Sequence, residues 1–380
     1  MAIILDQDFQ GGNLGKYTVS GDIVFVENDL RGCQGDWFYW AFRVRGAAGK
    51  TLRFDFGNKK RVGYFGAAVS HDLKTWQWGG KADGMYAFTY TFGPEENEAY
   101  FCHDLYYSPQ RFFSFAQRQH WDVDILCQTE KGRALPCIQL GTGKKQILLA
   151  SRHHCCESTG TYVLEGILEE IGGKLPPDYS LLAIPFVDYD GVMEGDQGKN
   201  RAPYDHNRDY HDQPIYAACR EIMARAKKQD TVMAFDFHSP HHCALTSAGP
   251  GPYCDHVFMI RNNPGMRDQQ VLFSRLFREE AARDPAAFSY TGEYDFDYDT
   301  LWNSDNKPTF GCYFAHFPGV QLAFCLETAY YGVGKDRVTQ ESLLALGRRA
   351  LILAAMDTGS SFEGMGASRE ALYGALVEPA

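Results

Sequence analysis

Long apolar runs, blocks of basic charge and a cysteine framework are all missing from this 380-residue chain, and each absence removes a class of protein. No stretch approaches the roughly 20 consecutive apolar residues that a helical membrane span requires. The start, Met1-Ala2-Ile3-Ile4-Leu5-Asp6, has no basic segment followed by a long apolar one, so it does not read as a secretory signal. No long Lys/Arg run occurs, and 37 basic against 48 acidic residues leave a net charge of −11. Nucleic acids and anionic membranes select a basic face and are therefore not expected as partners. The 11 cysteines are odd in number and lack framework spacing, and Cys127, Cys219 and Cys325 sit in apolar runs. They read as reduced thiols packed inside a cytoplasmic protein. Neither internal repeats nor low-complexity segments are visible.

What is present has the balance of a soluble globular protein, 44% hydrophobic and 22% charged with an unusually high 14% of aromatic residues. The length allows two or three domain-sized cores. Up to about residue 105 the chain consists of short β-type runs broken by Gly, Asn and Asp. Examples are Asp22 to Val26, Trp37 to Val44, Thr51 to Phe56 and Ala87 to Phe92. Their alternation and aromatic content predict an antiparallel β-sandwich over residues 1–108. From about residue 110 strands and helices alternate. Apolar runs at Gln146 to Ala150, Leu181 to Val187, Thr231 to Phe237, His256 to Ile260 and Val320 to Leu326 read as strands. Helical periodicity covers Ser158 to Ile171, Ile215 to Lys228, Arg267 to Arg283 and Gln340 to about Met356. This predicts an α/β domain over residues 109–380, with a mixed, mostly parallel sheet flanked by helices.

In such a domain ligands sit beyond the carboxyl ends of the strands. His154-x-x-Glu157 follows the first apolar run, at a spacing that lets an imidazole and a carboxylate reach one ion. These are two of the three ligand types of an open, hydrolytic zinc site. His238 closes the strand Val232 to Phe237, with Asp236 two residues before it on the same face. Glu327 closes the run Ala323 to Leu326, where an unpaired carboxylate is costly unless it has a task. Asp205-His206-Asn207-Arg208 supplies a guanidinium fork and an amide suited to gripping a carboxylate.

With these pieces in order, His-x-x-Glu, Asp-x-Asn-Arg, a strand-ending His and a strand-ending Glu, the whole chain resembles the zinc metallocarboxypeptidases (funnelins), and within them the cytosolic-carboxypeptidase-like branch. Gly35-Asp36-Trp37-Phe38-Tyr39-Trp40, Phe56-Gly57-Asn58 and Tyr100 to Ser108 resemble that branch's β-sandwich. The resemblance implies one Zn2+ per chain held by His154, Glu157 and His238, with Glu327 as the base that activates water. It implies that Asn207 and Arg208 grip the substrate's terminal carboxylate and that Asp205 orients a zinc histidine through its second ring nitrogen. Arg201 is the arginine expected to polarise the scissile carbonyl, and Lys199 competes with it for that role.

The chain also departs from the branch. Cys155-Cys156 stands where Pro-Gly is usual; either thiol could be oxidised there or compete as a ligand, and the favoured reading is a pair of small residues packed in the turn. The usual active-site tyrosine has no matching motif, although Tyr298 and Tyr313 are near. Ungapped alignment before Glu327 puts Cys312 where the substrate's last side chain is read. Glutamate-trimming members carry an arginine there, and a neutral thiol implies that removal of terminal glutamate is not the main activity. The implied function is hydrolysis of the C-terminal peptide bond of peptides or protein tails. Other readings are a zinc amidase or endopeptidase acting on cell-wall peptides or acyl-amino acids, and a non-catalytic peptide-binding module. Gly141-Thr142-Gly143-Lys144 lacks the spacing of a phosphate loop. Asp295, Asp297 and Asp299 read as an acidic loop face, and His241-His242 as cleft or surface residues.

Overall fold

The computed structural model describes residues 2–351, apart from 173, 243–244, 247–248, 251, 301–302, 304–306 and 334–335. The expected helix beyond residue 351 therefore lies outside the described residues. Among those described, no helix is long and apolar enough to cross a membrane.

The first hundred residues form two five-stranded sheets. One runs in the order Ile4–Asp6, Ala41–Arg45, Glu98–Cys102, Ala68–Ser70, Gln77–Trp78; the other in the order Tyr17–Ser20, Ile23–Val26, Thr51–Asp55, Ala87–Thr91, Lys81–Asp83. The pairings are antiparallel, except that Ile23–Val26 runs parallel to Thr51–Asp55. Alternation sets the faces. Leu52 and Phe54 point inward from Thr51–Asp55 while their neighbours face out, as a period of two requires. Trp40, Phe42, Phe54, Phe88 and Phe101 meet between the sheets, all fully buried. Each such side chain stabilises the sandwich by about 1.5–3 kcal/mol relative to exposure.

The second layer system begins with the helix Pro109–Arg118, whose Ser108 Oγ accepts the Arg111 amide at 3.1 Å. Its seven-stranded sheet runs Asp124–Gln128, Ala134–Leu140, Tyr179–Ile184, Lys145–Ser151, Asp230–His238, Leu322–Glu327, Phe258–Ile260. The four central strands are mutually parallel and the outer pairings antiparallel, so the sheet is mixed but only half of its pairings are parallel. The antiparallel outer pairs escape a sequence reading because edge strands such as Phe258–Ile260, only three residues long, carry no directional signal.

The main apolar core crosses residue 108 without a break. Tyr39, Ala68, Trp76 and Cys102 of the sandwich belong to the same cluster as Ile147, Leu149 and Phe235 of the large sheet. Arg111 clamps the junction, with Nη2 and Nε 2.7 and 3.0 Å from the two oxygens of the buried Glu165. The bidentate geometry makes this a strong pair. Glu165 lies on the helix Thr159–Ile171, which follows the His-x-x-Glu motif. That helix approaches the strand Asp230–His238 at Gly160, where a Cβ would stand 2.9 Å from Phe237 Cβ and 3.0 Å from its carbonyl carbon. Any larger residue there would push the strand end carrying His238 outward.

Candidate metal centre

Three strand ends meet at one point. Lys145–Ser151 leads into the turn that holds His154 and Glu157, Asp230–His238 ends in His238, and Leu322–Glu327 ends in Glu327. His238 and Glu327 are direct register partners across a parallel pair, which aims both side chains at the same space. His154 Nδ1 lies 3.0 Å from Glu157 Oε1 and 3.1 Å from His238 Nδ1, and His238 Nδ1 is 2.7 Å from Glu157 Oε2. All three residues are at most 3% exposed.

Each imidazole is backed on its other nitrogen by a carboxylate. Asp236 Oδ2 stands 2.7 Å from His238 Nε2, and Asp205 Oδ1 stands 3.4 Å from His154 Nε2. The latter contact lacks hydrogen-bond geometry, so His154 Nε2 and Asp205 Oδ1 are both buried without a hydrogen-bond partner. Two facing imidazole nitrogens and a carboxylate suit a divalent ion such as zinc. Tetrahedral ligands about 2.0–2.1 Å from zinc stand roughly 3.3 Å apart, close to the spacing found here. The carboxylate bonded behind His238 fixes its tautomer and raises its basicity, while Asp205 stands behind His154 as a nearby negative charge.

Two other clusters of potential ligands occur among the described residues. In His153–Asp236–His238 the facing atoms are already joined, since Asp236 Oδ1 is 2.7 Å from His153 Nδ1, and His153 Nε2 is 2.6 Å from Tyr210 Oη. This chain of hydrogen bonds supports His238 from behind. The third, Cys102–His103–Asp104, consists of consecutive, fully buried residues near the Arg152 guanidinium, a poor setting for a further cation.

Electrostatics separate the carboxylates. Burial raises the Glu327 pKa to about 7, with the Glu157 charge adding to it against His238 and Lys199, and its Oε2 has no hydrogen-bond partner. Burial acts the same way on Asp205 and Glu157, but interactions with His154 and Lys199 hold both below the usual carboxylate range. One carboxyl able to take up and release a proton near neutral pH thus stands beside two that stay ionised. That division is the one acid–base catalysis needs.

Asn207, Arg208 and Cys312 also line the cleft, together with Lys199 and Lys307. The Asn207 amide is held by the Phe310 N–H on its Oδ1 at 3.0 Å and lies 3.1 Å from His238 Nε2. Arg208 donates to the Asn207 carbonyl at 2.8 Å. Cys312 sits on the short helix Phe310–Ala315, capped by Thr309. Arg201 does not line this cleft. Its guanidinium is 2.5 Å from Asp188 and 3.0 Å from Asp196, so two carboxylates hold it in the loop below. Cys155 packs under the same loop, donating to the Asp196 carbonyl at 3.1 Å, and a Cβ on Gly191 or Gly198 would stand 2.6 Å from its Sγ. The Cys155-Cys156 turn is thus filled by small, buried residues. Burial pushes both thiols up in pKa, and neither belongs to a ligand cluster among the described residues. Asp295 and Asp297 pair with Arg261, and His242 lies against the Lys60 carbonyl at 3.0 Å.

Sequence reasoning missed one supporting device. Thr159, Ser239 and Thr328 follow the three motif segments and share hydroxyl contacts. Thr159 Oγ1 is 2.6 Å from Ser239 Oγ and 2.7 Å from Thr328 Oγ1, which donates to the His238 carbonyl at 2.7 Å. This knot locks the strand ends together beneath the candidate ligands. The only sequence sign of it is a hydroxyl residue just past each motif.

No protein-family model matches the chain. Over 184 residues, 45% of this chain and 48% of the relative, it is 28% identical to an uncharacterized protein of Zymomonas mobilis. Over 58 residues, 15% of this chain and 18% of the relative, it is 54% identical to Hydrogenase-4 component C of Escherichia coli. These matches thus span about half, and less than a fifth, of the curated relatives' lengths. Solved structures match over almost the whole chain. A metallo-carboxypeptidase from Burkholderia cenocepacia superposes with a TM-score of 0.77 at 19% identity, covering 95% of this chain and 100% of that one. A metallo-carboxypeptidase from Pseudomonas aeruginosa, in complex with (2-guanidinoethylmercapto)succinic acid, gives 0.71 at 17% identity, covering 95% and 99%. The chain has the fold of the metallo-carboxypeptidases.

Proposed function

We propose that the chain is a zinc-dependent carboxypeptidase that removes the last residue from peptides or protein tails. The observation that carries this reading is the convergence of His154, Glu157 and His238 with Glu327 in register beside His238. His154, Glu157 and His238 would hold the zinc, which supplies Lewis acidity and lowers the pKa of a bound water to roughly 7. Glu327 takes the proton from the attacking water and returns it to the leaving amine, a task suited to a buried carboxyl in register with His238 whose Oε2 has no hydrogen-bond partner. Arg208, with the Asn207 amide beside it, grips the terminal carboxylate of the substrate, and this selects the final peptide bond. Asp205 and Asp236 keep the two histidines oriented.

The cationic groups beside the proposed metal ligands support a carboxylate-terminated substrate, and the presence of all three proposed ligands and of Glu327 supports an enzyme over a decayed binding module. The test is a peptide library randomised at its C-terminus, digested by the zinc-loaded chain and read by mass spectrometry. Loss of single C-terminal residues is expected. Cleavage spread over internal bonds would overturn the exopeptidase reading, and zinc binding without any cleavage would favour a binding module.

A further inference from the structure

Hydrolysis of an amide puts negative charge on the carbonyl oxygen, and a cation already fixed beside that oxygen lowers the barrier most. Arg201 cannot serve without abandoning Asp188 and Asp196, both of which it pairs with inside the loop. Arg208 is turned to the Asn207 carbonyl on the side proposed for the terminal carboxylate. Lys199 stands in the cleft itself, beside the candidate metal ligands. Its Nζ lies 3.2 Å from Glu157 Oε1, it lines the cleft with His238 and Glu327, and its side chain is only 24% exposed.

The loop that carries Lys199 is fixed by the segment that joins the strands Ile23–Val26 and Ala41–Arg45. Gln197 is fully buried and uses its whole amide on that segment, donating to the Asp29 carbonyl at 2.6 Å and the Tyr39 carbonyl at 2.9 Å while accepting the Tyr39 N–H at 2.8 Å. The Gln197 N–H donates to the Arg31 carbonyl at 3.0 Å, and the Asn200 carbonyl accepts from Gln34 N–H at 2.8 Å. Between them Gly198 adopts φ +72 and lies directly on the Cys155 backbone. Trp37, from the same clamping segment, places its ring 5.9 Å from the Lys199 ammonium. Every one of these contacts comes from residues 29–39 or from the His-x-x-Glu turn.

We propose that Lys199 is the cation that takes the charge on the scissile carbonyl oxygen, and that the sandwich segment 29–39 exists in part to hold it there. The proposal rests on the zinc carboxypeptidase reading. As the water oxygen bonds to the carbonyl carbon, its proton passes to Glu327. The carbonyl oxygen gains the electron pair, and the Lys199 ammonium, still beside Glu157, donates one of its other N–H bonds to that oxygen and keeps its own proton. When the C–N bond breaks, the carbonyl re-forms and Glu327 delivers its proton to the leaving amine.

The experiment compares the zinc-loaded full chain with Lys199→Met and Lys199→Arg on the best peptide from the randomised library. Zinc content and thermal melting are measured on each preparation. Lys199→Met is expected to keep zinc, to lower kcat by about 10²–10³-fold and to leave KM within about threefold, while Lys199→Arg recovers most of the loss. A second readout needs no turnover: affinity for a phosphonate peptide, whose tetrahedral oxygens mimic the charged intermediate, against affinity for the cleaved carboxylate product. The Met variant is expected to lose about 10²-fold on the phosphonate alone. A Lys199→Met chain that keeps kcat, or that loses both ligands equally, overturns the assignment and leaves the peptidase reading standing. If the wild-type chain cleaves no peptide and binds phosphonate no better than product, both fall.

Discussion

His238 Nε2 and Asp236 Oδ2 stand 2.7 Å apart, two residues from each other on one face of one strand, and the other Asp236 oxygen holds His153 at 2.7 Å. Asp236 is fully buried and held ionised because His153 and then His238 outweigh the penalty of burial. Replacing it by asparagine removes the charge that fixes the His238 tautomer. Zinc affinity in Asp236→Asn is expected to fall about 10–100-fold, measured by competition with a chelator of known affinity. Unchanged affinity would mean that His238 is not a ligand.

The hydroxyl knot makes a separate prediction. Thr328→Val keeps the shape but removes one hydrogen bond from the His238 carbonyl, which keeps the Thr328 N–H, and one from the Thr159 hydroxyl, which keeps Ser239 Oγ. A stability loss of about 1 kcal/mol is expected in urea unfolding. A variant as stable as the parent would show that water replaces the threonine there.

Arg201 is expected to matter for folding. Arg201→Met leaves Asp188, 1% exposed, without its cation, and breaking such a buried pair from one side costs about 3–5 kcal/mol. Denaturant midpoints of the two proteins check this. A loss in kcat with no loss in stability would instead return Arg201 to the chemistry.

The pH dependence of stability carries its own signature at Asp104. Burial raises its pKa to about 7, against the opposing Arg152 charge, and its Oδ2 has no hydrogen-bond partner. The neutral acid is the form the fold prefers. The contribution is therefore fully present below the unfolded value of about 4 and is lost as pH rises toward 7. Asp104→Asn is expected to flatten the fall in unfolding free energy between pH 4 and 7. An identical slope in both proteins would contradict this.

Much of the centre was legible because its residues interrupt simple patterns. His154, His238 and Glu327 are polar groups at the ends of apolar strands, and the strand-end rule for α/β sheets puts them together. The helix Thr159–Ile171 and the strand Asp230–His238 lie within a residue or so of their expected bounds, since their apolar periodicity is long. Lys199 was harder to place. Its position depends on Gln197 bonding to Asp29 and Tyr39 across some 160 residues of sequence, a long-range contact that no local pattern encodes. The same holds for Arg201, whose pairing with Asp188 is set by how the loop folds back. The hydroxyl knot was illegible for a different reason, because Thr159, Ser239 and Thr328 are ordinary residue types whose meaning comes only from their meeting.

The central claim, that Glu327 moves the proton in a zinc-dependent hydrolysis of the C-terminal peptide bond, is tested most directly by Glu327→Gln. The amide keeps the shape of the side chain but cannot accept the proton. Metal analysis and single-turnover cleavage of a C-terminally labelled peptide are measured together on the parent and the variant. The variant is expected to retain zinc as the parent does and to lose about 10²–10⁴-fold in rate. A zinc-loaded Glu327→Gln chain that still cleaves within tenfold of the parent would contradict it.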